Sequence, residues 1–345
     1  METTSKASKP GSRFVAFLTA SATLAIATFV SASSSNQVEQ AGSLVVPRIG
    51  HAATALSDGR VLITGGHDHA GNLVAVSEIF DPGTQTSTAS ATLTTARVDH
   101  TATRLADGRI LVAGGTGATA PLSSAEMFDP ANPGAGFRTL PSTMSAARAR
   151  HTATLLNNGR VLIAGGEATG TAEIFDPATE LFSPTLWAMT TPRTGHTATL
   201  FSDHSVLLAG GNTDSMELFT PTDQKFTLNP TTMSAARTGH WAFELSNTRL
   251  LLFEGDTGDT IDEFNPSTGT LTLRDTLDAP ASSATLLANG KILVVRPDLA
   301  GLYDADAVPP SPPFTAFDET SVPGREDPGR WRRGYAKPTT RSSPI

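Results

Sequence analysis

Between residues 43 and 307 the chain is a succession of short apolar runs set off by glycine, proline, asparagine and aspartate. The clearest stretch is Arg148-Ala-Arg-His151-Thr-Ala-Thr-Leu-Leu-Asn-Asn158-Gly159-Arg-Val-Leu-Ile-Ala-Gly165-Gly166. Asn-Gly between two apolar runs predicts a β-hairpin, because a type I′ turn needs positive φ at both central residues. The Gly-Gly pair ends the second strand, where the backbone must turn or pack closely. Further along, Ala172-Glu173-Ile-Phe175 reads as a third strand, stopped by Asp176-Pro177, and the stretch from Leu181 to Met189 as a fourth.

This pattern recurs six times. Anchored on the histidine, the copies fall at His51, His100, His151, His196 and His240, with Ser282 in that place in the sixth, at intervals of 49, 51, 45, 44 and 42 residues. Seven residues after the anchor comes Asp58, Asp107, Asn158, Asp203, Asn247 or Asn289. Fourteen residues after it come Gly65-Gly66, Gly114-Gly115, Gly165-Gly166 and Gly210-Gly211, replaced by Glu254-Gly255 and Arg296-Pro297 in the last two copies. Four short antiparallel strands per repeat make a propeller blade, which cannot bury its faces alone. The expected fold is therefore all-β, a six-bladed β-propeller. Leu44 stands as far from its anchor as Met144, Met189 and Met233 from theirs. That predicts an N-terminal strand near 37–45 as a clasp completing the last blade, with Phe314 to Phe317 as the rival source.

A double glycine after a hairpin, an aromatic-Asp third strand, a fourth strand and Met-x-x-x-Arg together resemble the kelch repeat over about residues 43–307. The resemblance implies a kelch-like propeller related to the galactose-oxidase central domain. Phe replaces the family's usual Tyr until Tyr303, the fourth-strand Trp becomes Phe or is missing, and copies five and six lack the double glycine. Galactose-oxidase-like enzymes use a cysteine crosslinked to a tyrosine, a second tyrosine and two histidines at copper. This chain has no cysteine and only two tyrosines, so the resemblance does not extend to that radical chemistry. The Ser-x-Asp-x-Gly-x-Thr-Trp box of sialidases is missing as well.

Composition adds location. Lys6, Lys9 and Arg13 precede an apolar run from Phe14 to Val30, followed by Ser31-Ala32. Residues 1–32 read as a signal peptide, with a retained membrane anchor through residues 14–30 as the alternative. The expected location is secreted, periplasmic or cell-surface. The propeller is assigned to 37–307, and the proline-rich, basic stretch 308–345 to a disordered tail. Net charge is −8 overall. Because both termini are basic, the body is more acidic still, which speaks against nucleic-acid partners. With no cysteine, disulfides and thiolate metal sites are ruled out.

Candidate chemistry follows from what repeats and what does not. Arg48, Arg97, Arg148, Arg193 and Arg237 lie three residues before their anchors. As a ring at the channel mouth they would bind a carboxylate, sulfate or sugar acid. The competing reading is that a residue present in every blade serves the blade itself; in the sixth copy Ala279 and Ser282 break the set. His67 and His69 flank Asp68 in a loop after the first double glycine, an arrangement that could ligate zinc or copper. Glu254, Asp256, Asp259 and Asp262 cluster in copy five, as oxygen ligands for calcium or as a solvated loop. No Gly-x-Ser-x-Gly elbow or phosphate-binding loop occurs. From these features the expected function is a non-catalytic, monomeric scaffold without cofactor. It would present loops 67–74 and 116–124 to a protein or glycan. The alternative is an exported carbohydrate-active enzyme, such as a sugar epimerase, with acid/base residues at the channel mouth.

Overall fold

A computed structural model describes residues 14–16, 28–32, 38–245, 249–255, 258–277, 281–287, 289–296, 300–307 and 314–316. Six four-stranded antiparallel sheets follow one another in chain order. Their innermost strands are Ala52–Ala55, Thr101–Arg104, Thr152–Leu155, Thr197–Leu200, Trp241–Glu244 and Ser283–Leu286. The chain is a six-bladed, kelch-like β-propeller. In the first four blades the second strand is apolar and buried throughout: Val61–Thr64, Ile110–Ala113, Val161–Ala164 and Val206–Ala209 are buried at every position. A strand walled by neighbouring blades on both faces reads as a continuous apolar run rather than an alternating one. Outer strands such as Leu181–Pro184 are largely exposed. They are held by cross-strand aromatic pairs, Phe128 with Phe137, Phe175 with Phe182 and Phe219 with Phe226, each 4.8 Å between ring centres.

Two expectations about the chain ends change. The sixth blade is completed by Phe314–Ala316, which pairs with Ala300–Tyr303. The N-terminal strand Val38–Ser43 pairs instead with Thr28–Ala32, which in turn pairs with Phe14–Ala16. The expected clasp is thus corrected to the rival source, inside the stretch that composition assigned to a tail. The physical reason is that Phe314 lies opposite Tyr303 and also under the Arg296 guanidinium, 4.7 Å from the ring centre. Leu44 does pack on the first blade, against Val61, Ile63 and Phe80. The remainder of the predicted leader and tail lies outside the described residues. Among the described residues no helix is long and apolar enough to cross a membrane.

Adjacent blades are joined through the anchor histidines. His151, His196 and His240 each reach back to the previous blade. Their Nε2 atoms are hydrogen-bonded to Thr101, Thr152 and Thr197 at 3.0, 3.0 and 2.8 Å. The two glycines divide the work. A Cβ on Gly114, Gly165 or Gly210 would collide with the imidazole of the next blade, whereas one on Gly115 or Gly166 would strike the histidine of its own blade. Copies five and six alter both partners together: Glu254 takes the first glycine position, and Ser282 takes the place of the ring that glycine would admit. Trp241 stands at the position of the hydroxyl-bearing threonine and packs with Phe243 into the apolar cluster shared with blade six.

One junction shows the same bond made from the other strand. Blade one has Ala52 at the threonine position, and its cross-strand partner is Thr64. In blades two to four the same ladder pair is Thr101 with Ala113, Thr152 with Ala164 and Thr197 with Ala209. Thr64 supplies the missing hydroxyl to His100 at 2.9 Å. Thr64→Ala should cost about 1–3 kcal/mol by stranding a buried imidazole nitrogen. The double variant Ala52→Thr/Thr64→Ala should recover most of that loss, read as urea midpoints at constant m-value.

Candidate functional site

The arginines three residues before the anchors point into the blades. Arg48, Arg97, Arg148 and Arg193 form ion pairs of 2.5–2.8 Å with the third-strand glutamates Glu78, Glu126, Glu173 and Glu217, and Arg237 pairs with Asp262 at 2.6 Å. All ten side chains are buried. Each guanidinium also donates to backbone carbonyls, as Arg148 does to Gly165 and Thr171 at 2.7 and 3.1 Å. The glutamates accept backbone N–H bonds from the segment leading into the inner strand: Glu78 from Val45 and Val46, Glu126 from Thr94 and Thr95. The carboxylate expected of a bound ligand is one of the protein's own. Asp262 is likewise engaged here rather than in a calcium cluster; Asp256 lies outside the described residues, as do the side chains of Glu254 and Asp259.

His67 sits in a β-bridge with Ile49 and Leu73, and its Nδ1 lies 3.2 Å from the Asp68 carbonyl. The Asp68 carboxylate accepts the backbone N–H groups of Ala70 and Asn72, which shapes the loop. Among the described residues no group of three or more His, Asp or Glu side chains is placed to hold a metal ion.

What the structure brings together is a collar where the inner strands begin. The residue just before each anchor adopts a left-handed backbone: Gly50, Asp99, Arg150, Gly195 and Gly239, with φ between 54° and 69°. From blade two to blade five, each N–H donates to the carbonyl of its counterpart in the preceding blade. Asp99 donates to Gly50 at 3.1 Å, Arg150 to Asp99 at 2.9 Å, Gly195 to Arg150 at 2.8 Å and Gly239 to Gly195 at 2.9 Å. Backbone hydrogen bonds therefore run from blade to blade, from the first to the fifth. Three of the five positions carry the glycine that this conformation favours. The other two carry exposed charged residues, Asp99 and Arg150. An Asp tolerates left-handed φ better than most residues, while an Arg is held there at a cost of about 1–2 kcal/mol. The side chains diverge, Asp99 toward Gly50 of blade one and Arg150 toward Gly195 of blade four. Left-handed residues at the outer hairpins, Gln85, Glu180 and Gln224, are mostly not glycine, so that turn makes a weaker demand.

No family model matches the chain, and no curated protein does. Among solved structures the chain superposes on a fungal alcohol oxidase of the AA5 family, described as catalytically diverse and solved in complex with copper. The TM-score is 0.68 at 16% identity, over 81% of this chain and 64% of the oxidase. The likeness is one of fold. It corrects the expectation of a non-catalytic scaffold that is not an enzyme, since the solved propeller that this chain follows over most of its length is a catalyst. The copper does not carry over. This chain offers no thiolate, and four of its anchor histidines spend Nε2 on a threonine of the preceding blade.

Sequence reasoning passed over Asp99 and Arg150 because it fixed on positions that repeat. Aligning the copies one residue before the anchor would have exposed them.

The histidines carry a testable consequence. Burial first, and then the neighbouring guanidinium, pushes the imidazoles down from 6.5, to about 4 for His51 and about 3 for His100, His151, His196 and His240. Below pH 6.5 the unfolded chain takes up protons that the folded chain refuses until pH 3–4. Stability is thus fully present above pH 6.5 and falls as pH drops through that window, with each histidine adding up to about 1.4 kcal/mol per pH unit. Urea midpoints measured from pH 7 to pH 4 should decline, and His196→Phe should flatten the slope.

Proposed function

We propose that this chain is an extracytoplasmic propeller enzyme whose catalytic centre is the collar at the channel mouth. Asp99 is its proton-transferring carboxylate, and Arg150 anchors an anionic group on a hydroxylated substrate. The observation that carries this reading is the replacement of glycine by two oppositely charged residues at a left-handed position. Strain of this kind persists where surrounding structure holds it in place, and it clusters at active sites. The Asp99 carboxylate accepts no hydrogen bond among the described residues, so its lone pairs are available to a substrate hydroxyl or an acidic C–H. A guanidinium recognises a carboxylate with two parallel hydrogen bonds. Because the two side chains diverge, the pair favours acid–base chemistry on an extended hydroxylated acid, with the anion fixed at Arg150 and the proton moved at Asp99. The basic and apolar N-terminal segment supports action outside the cytoplasm.

Asp99→Gly and Arg150→Gly separate function from fold, because glycine is what the other blades use. Both should unfold within about 1 kcal/mol of the parent protein. Against a panel of uronic and aldonic acids, Asp99→Asn should lower kcat by about 10²–10⁴-fold. Arg150→Gly should mainly raise KM. Unchanged turnover in both variants, or no turnover by the parent protein on any acid of the panel, would overturn the assignment.

A further inference from the structure

Three large apolar side chains stand exposed together at the outer edge of blades three and four: Leu186, Trp187 and Leu228, at 73%, 59% and 49%. Leu186 and Trp187 follow Leu181–Pro184, the outer strand of blade three. The Leu186 N–H donates to Gln224 Oε1 at 3.2 Å, which sets it beside Lys225–Leu228, the outer strand of blade four. Further along, the Thr190 and Thr191 N–H groups donate to Glu217, the ladder partner of Leu228. Segment 186–191 therefore runs alongside that strand. Phe226 shares a buried cluster with Met189 of this segment. Strand alternation turns Leu228, two residues on, to the same side.

The turn breaks the repeat. Counted back from the residue four before each arginine, Leu186-Trp187 stands where blade two has Pro141-Ser142 and blade four has Pro230-Thr231. Blade one has Ser90-Ala91 there. The Ser142 hydroxyl accepts from the Phe182 N–H of the next blade, and the Thr231 hydroxyl donates to the Gly269 carbonyl. At 187 an exposed indole replaces that hydroxyl, so the fold has no need of it. The Thr185 hydroxyl donates to the Trp187 carbonyl at 2.7 Å and holds the turn in shape. Residues 181–192 and 226–236 contain no charged side chain.

We propose that this patch is the interface of a two-fold dimer, covered by the same patch of a second copy of the chain, in place of the expected monomer. With Pro184, Ala188 and Pro230 it leaves about 400–500 Å² of apolar surface, the upper end of what a monomer exposes in one place. Doubled across a two-fold axis and widened by its threonine rim, it reaches the roughly 1,000 Å² that a specific interface requires. A two-fold axis matches one patch to itself and needs no second surface. Charge selects the occupant. The chain carries −8, so two copies meet most readily where neither presents a charge. An anionic bilayer is repelled by the same acidic body, and aliphatic side chains flanking the indole offer no hydrogen bond to a glycan.

Sedimentation equilibrium of the full chain is the test. Between about 1 and about 100 µM the mass should rise from one chain to two. Leu186→Pro/Trp187→Thr, which installs the turn of blade four, should stay monomeric throughout and keep the parent's urea midpoint, as both side chains are exposed. Leu228→Lys should weaken association about tenfold or more by placing like charges across the axis. Leu273→Lys, also exposed but on blade five, should leave association unchanged. Asp99→Gly should dimerise like the parent, which keeps this surface distinct from the collar. A parent chain that is monomeric at the highest concentration, or equal association by Leu228→Lys, would overturn the proposal. So would flotation of a monomeric parent with phosphatidylcholine vesicles that the turn variant loses, which would assign the patch to a membrane.

Discussion

The buried arginine–carboxylate clamp is the interaction on which the blades depend. It joins the segment leading into the inner strand to the third strand, two strands away in the same sheet. The guanidinium covers strand-end carbonyls while the carboxylate receives the N–H groups of the incoming chain. Two buried charges are tolerable here because nearly every lone pair and proton has a partner. Removing one member alone would leave the other stranded. Blade six fits that rule by losing both: Ala279 stands where arginine should be, and Gly301 where the third-strand carboxylate should be.

Once the clamp sets the approach of the inner strand, the histidine at its start determines how blades meet. Its ring needs a glycine on the preceding blade to admit it and a hydroxyl to satisfy it. The source of that hydroxyl is interchangeable between cross-strand partners, as Thr64 shows. The fifth and sixth blades make a different junction, with Trp241 and Phe243 packed against Ala284, Ile292 and Tyr303. An apolar contact there replaces a polar link, so these blades are rebuilt rather than eroded.

The same logic assigns function. Residues present in each of the first five blades are consumed by the fold, and the five guanidiniums are satisfied before any ligand arrives. Exposed charges that break the repeat lie outside that clamp. Asp99 and Arg150 in the collar are the clearest case, standing where blades one, four and five carry glycine. The oxidase likeness is one of fold, and the chain's own donor set points away from copper.

The sequence by itself determined the number of blades, the strands within each and the register between copies. Periodic hairpin turns and apolar runs are local signals, and six aligned copies leave little freedom in how they pair. It also showed which residues were repetitive, which is why Arg148 and its counterparts drew attention. Whether a repeated arginine faces a channel or a carboxylate two strands away is a question of side-chain direction, and spacing along the chain carries no such information. The same limit applied to the last strand of blade six, because two segments of similar composition competed and the edge of Ala300–Tyr303 selected Phe314–Ala316. Only the assembled blades brought the Arg150 N–H onto the Asp99 carbonyl. That contact joins residues 51 positions apart in sequence, and it exists because the blades pack side by side around an axis.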